Sequence, residues 1–312
     1  MHNLLRYIRM NKKKIIKVAL IIAFLFIILQ ILNFLSGQKN DIQFNNDYSN
    51  IQKETNGTIK SDKSAVSGKK VSEKEIKKVG NIINQFVDFC NDKEIEKAYD
   101  LLSIQCKEVL YNSIDSFKEG YYGKLFNGEK RTYTVQNWTS DTYMVKFTED
   151  LLSTGRTISE TSYTDYITII NENGEKKLNI NNLIWKKEIN KEKQKDNIYT
   201  RVLSEIQYME YSIYELEVTN NNNDIIELRQ PSAEKKGIYL KDSKDTKHYA
   251  YINELTEDDL IIPSKLTKKV RIKFDNPYIS GRKIKNLCFS NVVVYFSIEY
   301  RTARIIDFNI LL

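Results

Sequence analysis

YTDYITIINENGEKKLNINNLIWKK, residues 163–187, decides how the first half of this chain folds. Isoleucine, threonine and tyrosine alternate through 162–171, and KKLNINNLIW (176–185) is again rich in β-branched and apolar residues, so both runs read as strands. Between them Asn171 to Glu175, NENGE, carries Gly174 and reads as the turn of a hairpin.

Upstream the same two-residue period continues in RTYTVQNW (131–138) and TYMVKFTE (142–149), where Tyr143, Val145 and Phe147 share one face. Before residue 131 the period changes. Ser72 opens S-E-K-E, a capping box with Glu75 at its third position. Behind it Ile76, Val79, Ile83, Phe86, Val87 and Cys90 recur at three and four, which predicts a helix to about residue 90. Shorter helical pieces follow, one with Ile95, Ala98, Leu101 and Leu102 as its inner side and one through Ile104, Val109 and Leu110. Helices followed by an antiparallel sheet make an α+β domain over 72–190, with the helices on one face.

Downstream, KEINKEKQKDN (187–197) reads as a charged hinge. The rest is strand signal: YTRVLSE (199–205), YMEYSIYELEVTN (208–220), GIYLKD (237–242), KHYAYI (247–252), KKVRIKF (268–274), NVVVYFSI (291–298) and ARIIDFNI (303–310). The NNNND turn at 220–224 predicts a hairpin into IIELRQ. Short strands at this spacing predict an all-β sandwich over 198–312, with a helical option open for EIQYMEYSIYELEV.

At the other end IIKVALIIAFLFIILQILNFL, residues 15–35, is long enough to cross a bilayer as one transmembrane helix. Arg6, Arg9, Lys12, Lys13, Lys14 and Lys17 stand in or beside the flank 1–14 with no acid, which orients the N-terminus to the cytoplasm and the later domains outside the cell membrane. A cleaved signal peptide is the competing reading. The apolar run is longer than a signal core, and LSGQKN offers no small-residue cleavage site. Residues 36–71 are rich in Asn, Ser and Lys and read as a flexible linker with a reach of roughly 30–36 Å.

Locating the charge changes its meaning. The chain has 312 residues and a formal net charge of +7, a balance that suggests a nucleic-acid partner. Six basic groups belong to residues 1–17, leaving 42 basic against 41 acidic groups in the remainder. The exported part is almost neutral, so no nucleic acid is expected among its partners.

FVDFCNDKEIEKAYDLLS followed by strands and the hairpin of 163–187 resembles the nuclear transport factor two-like, cone-shaped fold over about residues 73–190. The layout of basic N-terminus, one span, linker and exported cone is similar to the inner-membrane scaffold subunits of type IV secretion and Gram-positive conjugation. ELEVTNNNNDIIEL and IIPSKLTKKVRIKF resemble bacterial exported immunoglobulin-like sandwiches. The resemblance implies a non-enzymatic scaffold or binding protein whose partners are the lipid bilayer and either itself or other envelope proteins. The alternative is a wall-associated or ligand-sensing surface protein. A remoter one is a cone-pocket enzyme, because some relatives pair a carboxylate base with a tyrosine hydroxyl, and Asp165 with Tyr143 or Tyr166 are the right residue types.

Other chemistry has few candidates. Only two His are present, and His248 reads as a surface strand histidine. The acids at Asp242 to Asp245 and Glu257 to Asp259 lack calcium-loop spacing, and neither a phosphate loop nor zinc spacing occurs, so no metal or cofactor is expected. Cys90 and Cys106 fall on neighbouring helical segments and form a candidate disulfide, against the alternative that Cys90 is a buried free thiol on the apolar face; Cys288 is left over.

Overall fold

The computed structural model describes residues 57–59, 64–66, 72–139, 141–149, 162–228, 237–251, 254–297 and 302–312. The chain divides into the units Met1–Lys53 and Glu54–Leu312, and every described residue belongs to the second. The membrane span, its basic flank and most of the linker lie outside the described residues. Among the described residues no helix is long and apolar enough to cross a membrane.

Strands dominate this unit, with few helices. The first sheet runs in the order β1 (Gly57–Ile59), β2 (Arg131–Asn137), β3 (Thr142–Glu149), β4 (Ser162–Glu172) and β5 (Glu175–Asn179). The β4–β5 hairpin closes through Asn173 and Gly174, both at positive φ (52° and 88°), the conformation a two-residue turn between twisted strands requires. Strand β1 corrects the linker expectation. It pairs in parallel with β2, and the backbone of Ala65 then bonds the carbonyl of Asn137 at 2.9 Å. Gly57 permits this docking, since a Cβ there would lie 2.1 Å from the Tyr133 ring.

Helix α1 (Glu73–Asn91) covers this sheet with α2 (Ile95–Asp100), α3 (Ile104–Val109) and α4 (Ile114–Phe117), and a π-helical turn follows at Lys118–Tyr122. Val79, Ile83, Phe86, Val87 and Cys90 are buried, as the three-four spacing predicts. They meet Tyr143, Val145 and Phe147 of β3 and Ile167 and Ile169 of β4 in one core. Cys90 and Cys106 are buried free thiols in that core, not a disulfide. Loss of water pushes both thiols up, Cys106 to about 12, so each behaves as a small apolar side chain.

The run 176–185 is not one strand. It breaks at Asn181 and Asn182, both left-handed (57° and 64°), in a tight turn closed from Leu183 N–H to the Ile180 carbonyl. The charged run read as a hinge is then part of β6 (Leu183–Lys195), which forms a long hairpin with β7 (Ile198–Tyr208) through Asp196 and Asn197. With β8 (Ser212–Asn220) and β13 (Thr267–Phe274) they make a second sheet in the order β13-β8-β7-β6. The helical option for residues 205–218 is overturned, because β7 and β8 occupy them apart from the turn at 209–211.

The third sheet follows the order β11 (Lys247–Tyr249), β10 (Ile238–Asp242), β14 (Ile284–Ser297), β9 (Ile226–Glu227) and β12 (Ile261–Ile262), with β15 (Thr302–Leu311) paired to β14. IIEL does not return along β8 as a hairpin; β9 crosses to this sheet and pairs with β12 and β14. The second and third sheets face one another across a shared core that includes Val202, Leu216, Ile272, Leu240, Leu287 and Phe289.

Strand β7 serves both cores. Ile198 and Val202 point into the core between the sheets, whereas Ile206 and Tyr208, also even-numbered, belong to the core under the helices. Two-residue alternation forbids this unless the phase slips, and it slips at the bulge between Val202 and Ser204. The bulge leaves Glu205 and Gln207 on the same side as Tyr214, at one end of the space between the sheets.

Candidate functional site

Asp165, the candidate base, is fully buried on the helix-facing side of β4. Its partners are structural. Oδ1 accepts from the Asn182 amide at 2.8 Å, and Oδ2 accepts from the Asn181 amide at 2.9 Å and from the Tyr121 hydroxyl at 2.8 Å. Burial pushes the carboxyl's pKa up, while the two turn amides and Tyr121 pull the other way by favouring the anion. Tyr121 is raised well above an ordinary phenol, first by burial and then by the adjacent carboxylate.

The two expected hydroxyl partners sit elsewhere. Tyr166 follows Asp165 directly on β4 and therefore points to the opposite face, where Trp138 meets its ring edge-on at 5.2 Å. Tyr143 shares the Asp165 face, but lies across from Ile167, with Val145 as the neighbour opposite Asp165. Above the carboxylate, Phe117 stacks with Tyr121 at 6.0 Å, and Phe86 and Tyr111 close on the same pair. Aromatic side chains therefore pack against the Tyr121 ring whose hydroxyl holds Asp165.

Asp165 thus fixes the turn between the first and second sheets, and a second network reinforces it. Asn179, fully buried, accepts from the Ser103 hydroxyl and donates to the Ile184 carbonyl at 3.0 Å. Ser103 Oγ in turn accepts from the Cys106 amide and caps α3. In the first turn of α3, Gln105 accepts from the Lys186 amide at 2.6 Å, and Glu108, one turn further along, pairs with Lys186 Nζ at 3.2 Å.

An open cleft of about 320 Å³ lies at the end of the two facing sheets, where the β7 bulge directs Glu205 inward. Lys187 is directly across from Glu205 on β6, and its ammonium sits 4.0 Å above the Trp185 ring. Tyr278 meets Trp185 edge-on at 5.1 Å and 89°. The loop carrying Tyr278 is held by its amide to the Met209 carbonyl at 2.9 Å, and by Gln207 Nε2 donating to the Asn276 carbonyl at 2.9 Å. Arg282 braces the loop, donating to Asn276 Oδ1 and the Pro277 carbonyl, both at 2.9 Å.

The floor of this cleft holds polar groups whose hydrogen bonding is incomplete. Glu205 Oε1 accepts from the Tyr214 hydroxyl at 2.9 Å. Burial raises the Glu205 pKa, opposed by Tyr214, by the Lys187 charge and by the indole N–H of Trp185. That indole nitrogen is itself buried and closes no hydrogen bond of ordinary length and angle. Sequence reasoning singled out none of these residues. The cross-strand positions of Trp185, Lys187, Glu205 and Gln207 become visible only with the register.

His248 is buried rather than exposed, with Nδ1 3.2 Å from the Asp275 carbonyl and Nε2 3.5 Å from Asp242 Oδ2. Asp242 itself accepts from the Lys244 and Thr246 amides and closes its own hairpin turn. Among the described residues no three His, Cys, Asp or Glu side chains converge to hold a metal ion. Comparison of the chain with protein-family models, with curated proteins and with solved structures gave no match.

Proposed function

We propose that the chain is a non-enzymatic, membrane-anchored extracytoplasmic scaffold, with a cone-like domain of the nuclear transport factor two type followed by an immunoglobulin-like sandwich. It serves as a component of a conjugation or secretion channel. The observation that carries this reading is the use made of Asp165. A buried carboxylate with its oxygens committed to two backbone amides and a phenol is a structural brace. It stiffens the passage from the helix-covered sheet to the paired sheets, which suits a part that transmits position between an anchor and its neighbours. Partners are then the lipid bilayer, further copies of this chain and other envelope proteins.

Cross-linking in intact membranes tests it. Homo-oligomers or a transfer-machinery neighbour should be trapped, and a monomer with no trapped partner overturns the reading.

The cleft of Trp185 and Glu205 favours a second reading, a ligand-sensing or wall-associated surface protein. Under it, the purified protein is stabilised by a small ligand or a polymer, seen as a thermal shift. Turnover that vanishes in Asp165→Asn while the fold survives would overturn both readings in favour of an enzyme.

A further inference from the structure

We infer that the cleft at Trp185, Glu205 and Tyr278 binds a hydroxylated ring bearing an anionic group, the chemistry of an acidic sugar unit. The inference rests on the ligand-binding reading above and is independent of anchoring or oligomeric state.

The floor specifies the hydroxyl. Trp185 Nε1–H is a buried donor that points towards the Glu205 carboxyl without closing a hydrogen bond of ordinary length and angle, and that carboxyl is itself an acceptor. A hydroxyl both accepts and donates, so one ligand hydroxyl takes the indole proton and gives its own to Glu205, satisfying both groups. A carboxylate or phosphate at that position would meet Glu205 charge against charge, and an ammonium would leave the indole N–H unpaired.

The rim specifies the anion. Lys187, Arg282 and Lys283 line the cleft against the one acidic side chain, Glu205. Lys187 is exposed, and its ammonium is held over the Trp185 ring by a solvent-exposed cation–π contact, which is weak, so it can turn to an anion at small cost. The two specifications lie at different depths, with the hydroxyl inside and the anion at the mouth. A ligand carrying both at opposite ends is therefore oriented.

The walls specify the ring. Tyr278, Pro277 and Ile279 present apolar surface beside the indole, and Ile279 is half exposed there. A volume of about 320 Å³ is at the low end for small-molecule sites and accommodates one ring with its substituents. Preorganisation is built in, since Gln207, Asn276 and Arg282 fix the loop before any ligand arrives.

The test uses the full-length chain in detergent, with sodium glucuronate and neutral glucose as probes. The chain has two tryptophans, so Trp185 emission is identified by comparison with Trp138→Phe and Trp185→Phe. Glucuronate should change Trp185 emission saturably and bind more tightly than glucose, with an advantage that shrinks as salt is raised. Trp185→Phe, followed by a method that does not use tryptophan emission, such as calorimetry, should weaken glucuronate about three- to tenfold, the loss of one hydrogen bond. Lys187→Gln, on an exposed side chain whose loss leaves the fold intact, should weaken glucuronate and leave glucose unchanged. Equal binding of glucose and glucuronate, or indifference to Lys187→Gln, overturns the acidic-ring assignment while the ligand-binding reading stands. If neither probe binds but another small molecule shifts the melting temperature through the cleft, the inference alone falls. If no ligand or polymer does so, both fall.

Discussion

Asp165 and Asn182 are joined by a 2.8 Å hydrogen bond from a backbone amide to a buried carboxylate, and that bond holds a left-handed residue in the turn between two sheets. The neighbouring Asn181 amide reaches the other oxygen of the same carboxylate. A side chain on β4 thereby selects the conformation of a turn sixteen and seventeen residues later.

Asp165→Ala should therefore destabilise the fold by about 2–4 kcal/mol, since two amides and the Tyr121 hydroxyl lose their acceptor in a buried site. Asp165→Asn should cost less but still destabilise, because its amide group presents N–H to one of those donors. Chemical denaturation checks both. Stability unchanged in Asp165→Ala would show that the carboxylate does not brace the turn.

Glu205 gives a pH prediction. Its pKa in the fold is raised above the ordinary 4.5, mainly by burial, so the folded state binds the proton more tightly than the unfolded one. Its contribution to stability is complete below pH 4.5 and is lost as pH rises through the folded value. The difference in unfolding free energy between wild type and Glu205→Gln should shift against the wild type as pH climbs from 4.5 towards neutrality. A difference that is flat or of opposite slope contradicts the burial of this carboxyl.

The thiols give a third. Cys90 and Cys106 are buried and free, and Cys288 is buried at the third sheet. In the folded chain Cys90 and Cys106 should resist a thiol reagent even without reductant, and denaturation should release three titratable thiols. Recovery of only one thiol after denaturation without reductant would restore the Cys90–Cys106 bridge.

Gly57→Ala places a methyl group 2.1 Å from the Tyr133 ring. Either the ring or β1 must move, at about 1–3 kcal/mol if β1 stays docked. Hydrogen exchange should show the amides paired between β1 and β2 losing protection, with the rest of the first sheet unaffected.

The strands of the first sheet were legible because each is buried on one side, so β2, β3 and β4 carry their alternation in plain view. The helical face of Val79 to Cys90 was legible for the equivalent reason. Where the sequence misled, a distant residue decides the outcome. The Asn181–Asn182 pair in NINNLIW permits a left-handed turn but does not mark it as the point where the chain changes sheets; the carboxylate of Asp165 does. Strand β6 looked like a hinge because it lies at the edge of its sheet and its charged residues face water along most of its length. His248 looked exposed in a polar stretch, yet the register of β10 and β11 turns it inward towards Asp275. The cleft was out of reach for the same reason, since Trp185, Glu205 and Tyr278 meet only through strand pairing and a loop held to Gln207.

The bulge between Val202 and Ser204 has a thermodynamic consequence. A strand that gives Val202 to one core and Ile206 to the other cannot leave either without opening both. The helix-covered half and the two-sheet half should then melt as one cooperative unit with a single calorimetric transition, instead of two domains that unfold in turn.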